Sequence, residues 1–332
     1  MYHKWLDRWD EKRAQRGDEV KRQSDFIIDA DLAFSNASRK TTIAEFCDLA
    51  DKAVASETFF KEPNDSGFAY QDGWVTFPSE IVTDIPENNT VTARVTESGL
   101  QDHALVVFHH WNASKRNNKI AKYFSKKGIT VVEIAMPYHF ERSRPDASYA
   151  DYILSPNIGR TLESIKQAVS DGRKLIQWLK HEGYSDVSVF GMSLGSWVAG
   201  LIAAHDRNVK RASLFLTAGS LADMVWTGRA TVAIRQSLEP DISLENLRHA
   251  WRPISLDSYT DQLCRPDLKI HAVLAKRDTV VLPALSHTFL ATLSAFGAKV
   301  TTQELNCGHY SLALPPHIIF AGLGLKRILN DE

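Results

Sequence analysis

The chain has 332 residues, 44% of them hydrophobic and 24% charged, an ordinary globular composition with room for a full core. Its 39 basic and 40 acidic side chains leave a formal charge of −1, which excludes bulk attraction to nucleic acid or an anionic membrane. Three cysteines (Cys47, Cys264, Cys307) are too few and odd in number for a disulfide-stapled secreted protein, and the charged start to Arg22 lacks a signal-peptide core, so the expected location is the cytoplasm.

Residues 1–66 read as an N-terminal helical extension. Tyr2, Trp5, Leu6 and Trp9 recur at helical spacing on one narrow face, which suits a helix docked on the body of the chain, or else an interfacial anchor or a homodimer contact. A second helix is expected from Thr42 to about Phe60. From residue 67 to 332 the pattern is that of one α/β domain. Trp74–Phe77 and Thr90–Val95 read as an antiparallel pair turned by Pro86-Glu87-Asn88-Asn89.

Strands and helices then alternate. Strands are expected at Ala104–Phe108, Ile129–Ala135, Val187–Phe190, Ala212–Leu216, Ile270–Ala275 and Lys299–Leu305. The helices between and after them fall near Ser114–Lys127, Gly159–His181, Leu194–His205, Pro283–Phe296 and beyond Pro316. Short apolar runs without alternation suit strands covered on both faces, so the order implies a mostly parallel sheet flanked by helices. Right-handed crossovers bring the following loops to one edge of such a sheet. Val187–Ala204 is uncharged and about the length of a membrane span, but its glycines and serines read as strand, turn and helix. Between residues 217 and 262 the rhythm breaks into Ala222–Leu238 and Ser243–Trp251, two helical stretches placed to form a lid.

The strongest chemical signal is Gly191-Met192-Ser193-Leu194-Gly195, which follows a strand and opens a helix. That context is the nucleophile elbow, a strained turn that lifts a serine hydroxyl above the sheet. A serine needs a base, and on such a fold the order is serine, acid, then a late histidine. His309 falls after the last strand and before the final helix. Asp278, just past Ile270–Ala275, is the favoured acid, with Asp223 as its rival. An oxyanion requires two N–H donors. Leu194 should give one, and His110 or Trp111 the other, with Asn112 as a side-chain alternative. Tyr138, His139 and Arg142 follow a strand toward the same edge. They are candidates for the substrate pocket, the arginine for a carboxylate or phosphate, unless salt bridges pin that loop. Met192, Asp223 and Trp226 complete the pocket candidates. No Walker A, metal-ligand or dinucleotide pattern appears, so no metal or cofactor is expected.

With these residues in place the chain resembles the α/β-hydrolase superfamily. More narrowly, it is similar to a group related to alpha/beta-hydrolase domain-containing protein 18. The segments that carry this are Pro137-Tyr138-His139, Trp178-Leu179 with Gly183-Tyr184, Gly191–Ser196, Asp223–Gly228, Asp278-Thr279 and Cys307–Tyr310. The resemblance implies a Ser-Asp-His hydrolase that cleaves a small or lipid-like ester without a cofactor. An acyltransferase, thioesterase or amidase on the same residues is the rival. A binding protein that kept only the fold is the alternative from another class.

Overall fold

The computed structural model describes residues 2–64 and 66–330. Its nine strands are β1 (Ala69–Gln71), β2 (Trp74–Pro78), β3 (Thr90–Thr96), β4 (His103–Phe108), β5 (Ile129–Ile134), β6 (Asp186–Met192), β7 (Val209–Phe215), β8 (Lys269–Ala275) and β9 (Lys299–Leu305). They form one sheet in the order β1-β2-β3-β5-β4-β6-β7-β8-β9. The first three are antiparallel, β3 runs antiparallel to β5, and every later pairing is parallel. The sequence explains the division: β3 alternates buried and half-exposed residues, whereas β5 is buried at every position. On the far edge, β9 carries Lys299, Thr301 and Thr302 on exposed positions, which discourages pairing with another sheet.

The helices are α1 (Tyr2–Asp18), α2 (Ala30–Ala33), α3 (Ile43–Ala55), α4 (Asn118–Ser125), α5 (Ile158–His181), α6 (Leu194–His205), α7 (Leu221–Thr227), α8 (Val232–Leu238), α9 (Leu244–Ala250), α10 (Thr260–Leu263), α11 (Pro283–Ala295) and α12 (His317–Leu329). Side-chain alternation along the strands divides the core in two. Val106, Phe108, Val187 and Val189 pack toward α5 and α6, while Leu105, Val107 and Phe190 pack toward α4 and α12. Close approach of α5 requires Gly172, where a Cβ would lie 2.4 Å from Ile202. Phe46, Phe59 and Phe60 of the N-terminal stretch belong to the larger cluster. The Gly191–Ser196 segment forms the end of β6 and the start of α6. Among the described residues no helix is long and apolar enough to cross a membrane.

Two expectations need correction. The docking face of α1 is Leu6, Asp10 and Ala14, with Tyr2 and Trp5 exposed. A polar residue at the centre of that face hides it from a hydrophobicity pattern. The stretch expected as one helix over Ala222–Leu238 is two. Gly228 takes an extended conformation, and Thr231 Oγ1 donates to Val225 O at 2.8 Å, turning the chain between α7 and α8.

Candidate active site

β6 ends in a tight turn whose apex is Ser193, at φ 52° and ψ −126°. Neighbouring glycines make the turn feasible. A Cβ on Gly191 would stand 2.1 Å from Gly195 O, and one on Gly195 would stand 2.4 Å from Phe108 O and His109 O. The backbone strain is not confined to Ser193. Asn112, Tyr138, Phe140 and Leu216 also hold positive φ, and all five residues line one cavity of about 520 Å³ at the carboxyl ends of the parallel strands.

Three side chains from separate loops meet at this cavity. His309 Nε2 lies 3.1 Å from Ser193 Oγ, and His309 Nδ1 lies 2.8 Å from Asp278 Oδ2. Asp278 is 4% exposed, and its other oxygen accepts the N–H groups of Val280 at 2.7 Å and Val281 at 2.9 Å. A carboxylate held in this way fixes the imidazole with Nδ1–H toward Asp278 and Nε2 free to accept the serine proton. The two loops are joined to each other, since Arg277 N donates to Cys307 O at 2.9 Å. Asp223 is elsewhere. Arg248 engages both its oxygens, Nη2 donating to Oδ1 at 2.6 Å and Nε to Oδ2 at 3.1 Å. Burial raises that carboxyl, but side-chain hydrogen bonds from Arg248 and Ser220 and the Arg248 charge hold it below its usual value.

The loop after β4 is braced by two histidines, His109 and the pocket candidate His139. His109 Nδ1 donates to His110 O at 2.9 Å, and its Nε2 accepts Met136 N–H at 3.1 Å. His139 Nδ1 donates to Pro137 O at 2.9 Å, and its Nε2 accepts Asn112 N–H at 3.0 Å. A carbonyl only accepts and an amide only donates, so both rings are neutral in one fixed tautomer. Burial pushes His139 down to about 4 and lowers His109 well below the ordinary imidazole value.

Ala150 completes the brace, its N–H donating to Asn112 Oδ1 at 2.8 Å and its carbonyl accepting from Trp111 Nε1 at 2.8 Å. Asn112 thus holds the loop through its side-chain oxygen. Among the described residues the N–H groups of His110 and Trp111 have no acceptor. Leu194, first in α6, has none within its helix.

Of the residues singled out from the sequence, His110, Trp111, Asn112, Tyr138, His139 and Met192 line the cavity, whereas Arg142, Asp223 and Trp226 do not. Arg142 is fully buried. It pairs with Asp171 at 2.8 Å, donates to Asn88 O at 3.0 and 2.7 Å, and donates to Ala135 O at 3.0 Å. Burial raises the Asp171 carboxyl and Arg142 opposes it. All three nitrogens of that buried guanidinium are engaged by groups of the fold, so the pinned-loop reading replaces substrate binding. Trp226 packs against the main core from α7. The 217–262 segment gives the cavity Ala230 alone among its lining residues, because α9 packs on α3 and α10 on α6.

Helix α1 supplies wall residues that sequence reasoning missed. Trp9, Arg13, Arg16 and, just beyond the helix, Lys21 line the cavity, and among the described residues no Asp or Glu does. Lys21 Nζ donates to Ala230 O at 2.6 Å and sits 4.6 Å from the Trp111 ring centroid; burial pushes it down to about 8. A charged amphipathic helix at the chain start gave no signal that its cations face a site. Among the described residues no cluster of metal-ligating side chains occurs.

No protein-family model matches this sequence, and no curated protein does. Solved structures do. The esterase Pf2001 of Pyrococcus furiosus superposes with a TM-score of 0.53 at 15% identity, covering 80% of this chain and 99% of that one. Acetyl xylan esterase 1 of Thermoanaerobacterium sp. JW/SL YS485 gives 0.58 at 17% identity, covering 86% and 93%. The acylaminoacyl peptidase of Pyrococcus horikoshii gives 0.60 at 12% identity over 80% of this chain, which spans 42% of that protein. At such identities the likeness is one of architecture, and with the strand order and mostly parallel pairing described above, the chain has the α/β-hydrolase fold.

Proposed function

We propose that this chain is a serine hydrolase that cleaves a carboxylic ester, with Ser193 as nucleophile, His309 as general base and Asp278 as the orienting acid. The observation that carries the reading is the hydrogen-bonded chain from Ser193 Oγ through His309 to Asp278 at 3.1 and 2.8 Å, opening on the cavity. In this reading His309 Nε2 takes the serine proton as Oγ attacks the ester carbonyl. The tetrahedral oxyanion accepts from the N–H of Leu194 and from that of His110 or Trp111. Collapse expels the alcohol, which takes the proton back from His309. Water, activated by the same imidazole, then releases the acid from the acyl-enzyme.

The wall favours neutral or anionic esters over cationic ones, since Arg13, Arg16 and Lys21 line the cavity and, among the described residues, no Asp or Glu does. Kinship with the alpha/beta-hydrolase domain-containing protein 18 group is part of the proposal and rests on the sequence segments alone. Wild type and Ser193→Ala, assayed side by side on short, long and aromatic p-nitrophenyl esters, test it. The variant should lose several orders of magnitude in kcat. Equal rates would overturn the assignment.

A further inference from the structure

Asp10 stands at the centre of the docking face of α1 and is 8% exposed. Its Oδ1 accepts two backbone N–H groups, from Tyr310 at 2.7 Å and Ser311 at 3.0 Å, the two residues that follow His309. Gly308, the residue before His309, packs so closely that a Cβ there would lie 2.6 Å from the Asp10 carboxylate carbon. The turn is closed on itself by Gly308 N donating to Ser311 Oγ at 2.8 Å. One helical turn earlier, Asp7 Oδ1 accepts from Arg277 Nε at 2.8 Å, so the same helix also reaches the residue beside Asp278.

A buried carboxylate is costly unless hydrogen bonds compensate it. Here the compensation comes from the turn that presents the histidine, and no cation forms an ion pair with Asp10 among the described residues. The second oxygen, Oδ2, is buried without a hydrogen-bond partner. Both facts point to a role in which one accepting oxygen, rather than a charge pair, is what the structure uses.

We propose that Asp10 is a positioning residue for the catalytic base: it clasps the Gly308–Ser311 turn and so sets the distance from His309 to Ser193. The inference rests on the proposed Ser193-His309-Asp278 assignment. Without the clasp, two buried N–H groups lose their acceptor, the turn rearranges and the imidazole moves. A misplacement of about 1 Å costs on the order of 100-fold in rate. Asp10 itself does not line the cavity, so binding of a neutral ester should change less than the rate.

Steady-state kinetics of the full chain on a neutral p-nitrophenyl ester test the proposal. Asp10→Ala should lower kcat by about 10- to 100-fold with KM changed less than about threefold. Asp10→Asn, which keeps an accepting oxygen, should recover most of the rate. Gly308→Ala, whose methyl would dislodge the carboxylate, should lower kcat in the same direction, and in an Asp10→Ala background it should add nothing further. Should Asp10→Ala fail to fold, Gly308→Ala decides alone. Full kcat in Asp10→Ala or in Gly308→Ala, or a loss in Asp10→Asn as deep as in Asp10→Ala, overturns the proposal. Ser193→Ala measured in parallel separates the two claims: if it stays active, the triad assignment fails, and if it is dead while Asp10→Ala is unimpaired, only the clasp fails.

Discussion

Replacing Arg142 by Met would distinguish a structural arginine from a substrate ligand. The change removes the ion pair to Asp171 at 2.8 Å and the donors to Asn88 O and Ala135 O, all in a fully buried setting. Asp171 keeps Ser79 Oγ, at 2.7 Å, and little else to offset its charge. Breaking a buried pair by deleting one partner costs about 3–5 kcal/mol, much of it the penalty of the stranded charge. Unfolding entropy near 60 °C is about 2.1 cal/mol/K per residue, or roughly 0.7 kcal/mol/K for 332 residues, so the midpoint should fall by about 6 °C.

Thermal denaturation followed by circular dichroism measures the midpoint, and KM for a carboxylate-bearing ester and its neutral counterpart is measured well below it. The expected result is a lower Tm with both KM values unchanged. Adding Asp171→Leu should restore much of the loss, because a buried pair exchanged for apolar groups of similar volume is often neutral. An unchanged Tm with a raised KM for the anionic ester alone would instead make Arg142 a substrate ligand.

The choice of acid is tested by two substitutions. Asp278→Asn should lower kcat by about 10⁴-fold, the loss seen when a triad aspartate is made neutral and the wrong imidazole tautomer results. Asp223→Asn, which disturbs contacts with Arg248 and Ser220 away from the cavity, should stay within about threefold of wild type; the reverse ranking in the same ester assay would exchange their roles. A stability effect is expected at Glu163, whose carboxyl burial pushes up to about 7 although Arg160 lies 3.3 Å away. Its folded value is above the unfolded one, so the stability it contributes is complete below about pH 4.5 and lost as pH rises through about 7, roughly 3 kcal/mol at most. Between pH 5 and 8 the Tm of Glu163→Gln should therefore fall less than that of wild type, and parallel curves would contradict this.

The parts of the site that could be read from residues were those fixed by local chemistry. The elbow is legible because the steric limits at Gly191 and Gly195 demand glycine, and the uninterrupted apolar strands because both their faces are covered. Asp278 and His309 follow from their positions after β8 and β9. What stayed hidden depends on partners distant in the chain. Arg142 looks like a pocket residue until Asp171, on α5, is seen to take it. His139 looks like a pocket residue, yet its ring nitrogens, like those of His109, are tied to backbone groups that no motif specifies. Asp10 breaks the apolar pattern of α1 because its partners are the N–H groups of a loop 300 residues away. Tyr2 and Trp5, which made the pattern, face solvent.

In the proposed mechanism the hydroxyl on the β6–α6 turn is activated by the imidazole it touches. Reaction of the intact protein with a fluorophosphonate, followed by mass spectrometry of its peptides, addresses that directly. A single adduct is expected on the peptide that carries Ser193, absent in Ser193→Ala and formed far more slowly in His309→Ala. An adduct on another residue, or labelling of His309→Ala at the wild-type rate, would contradict it.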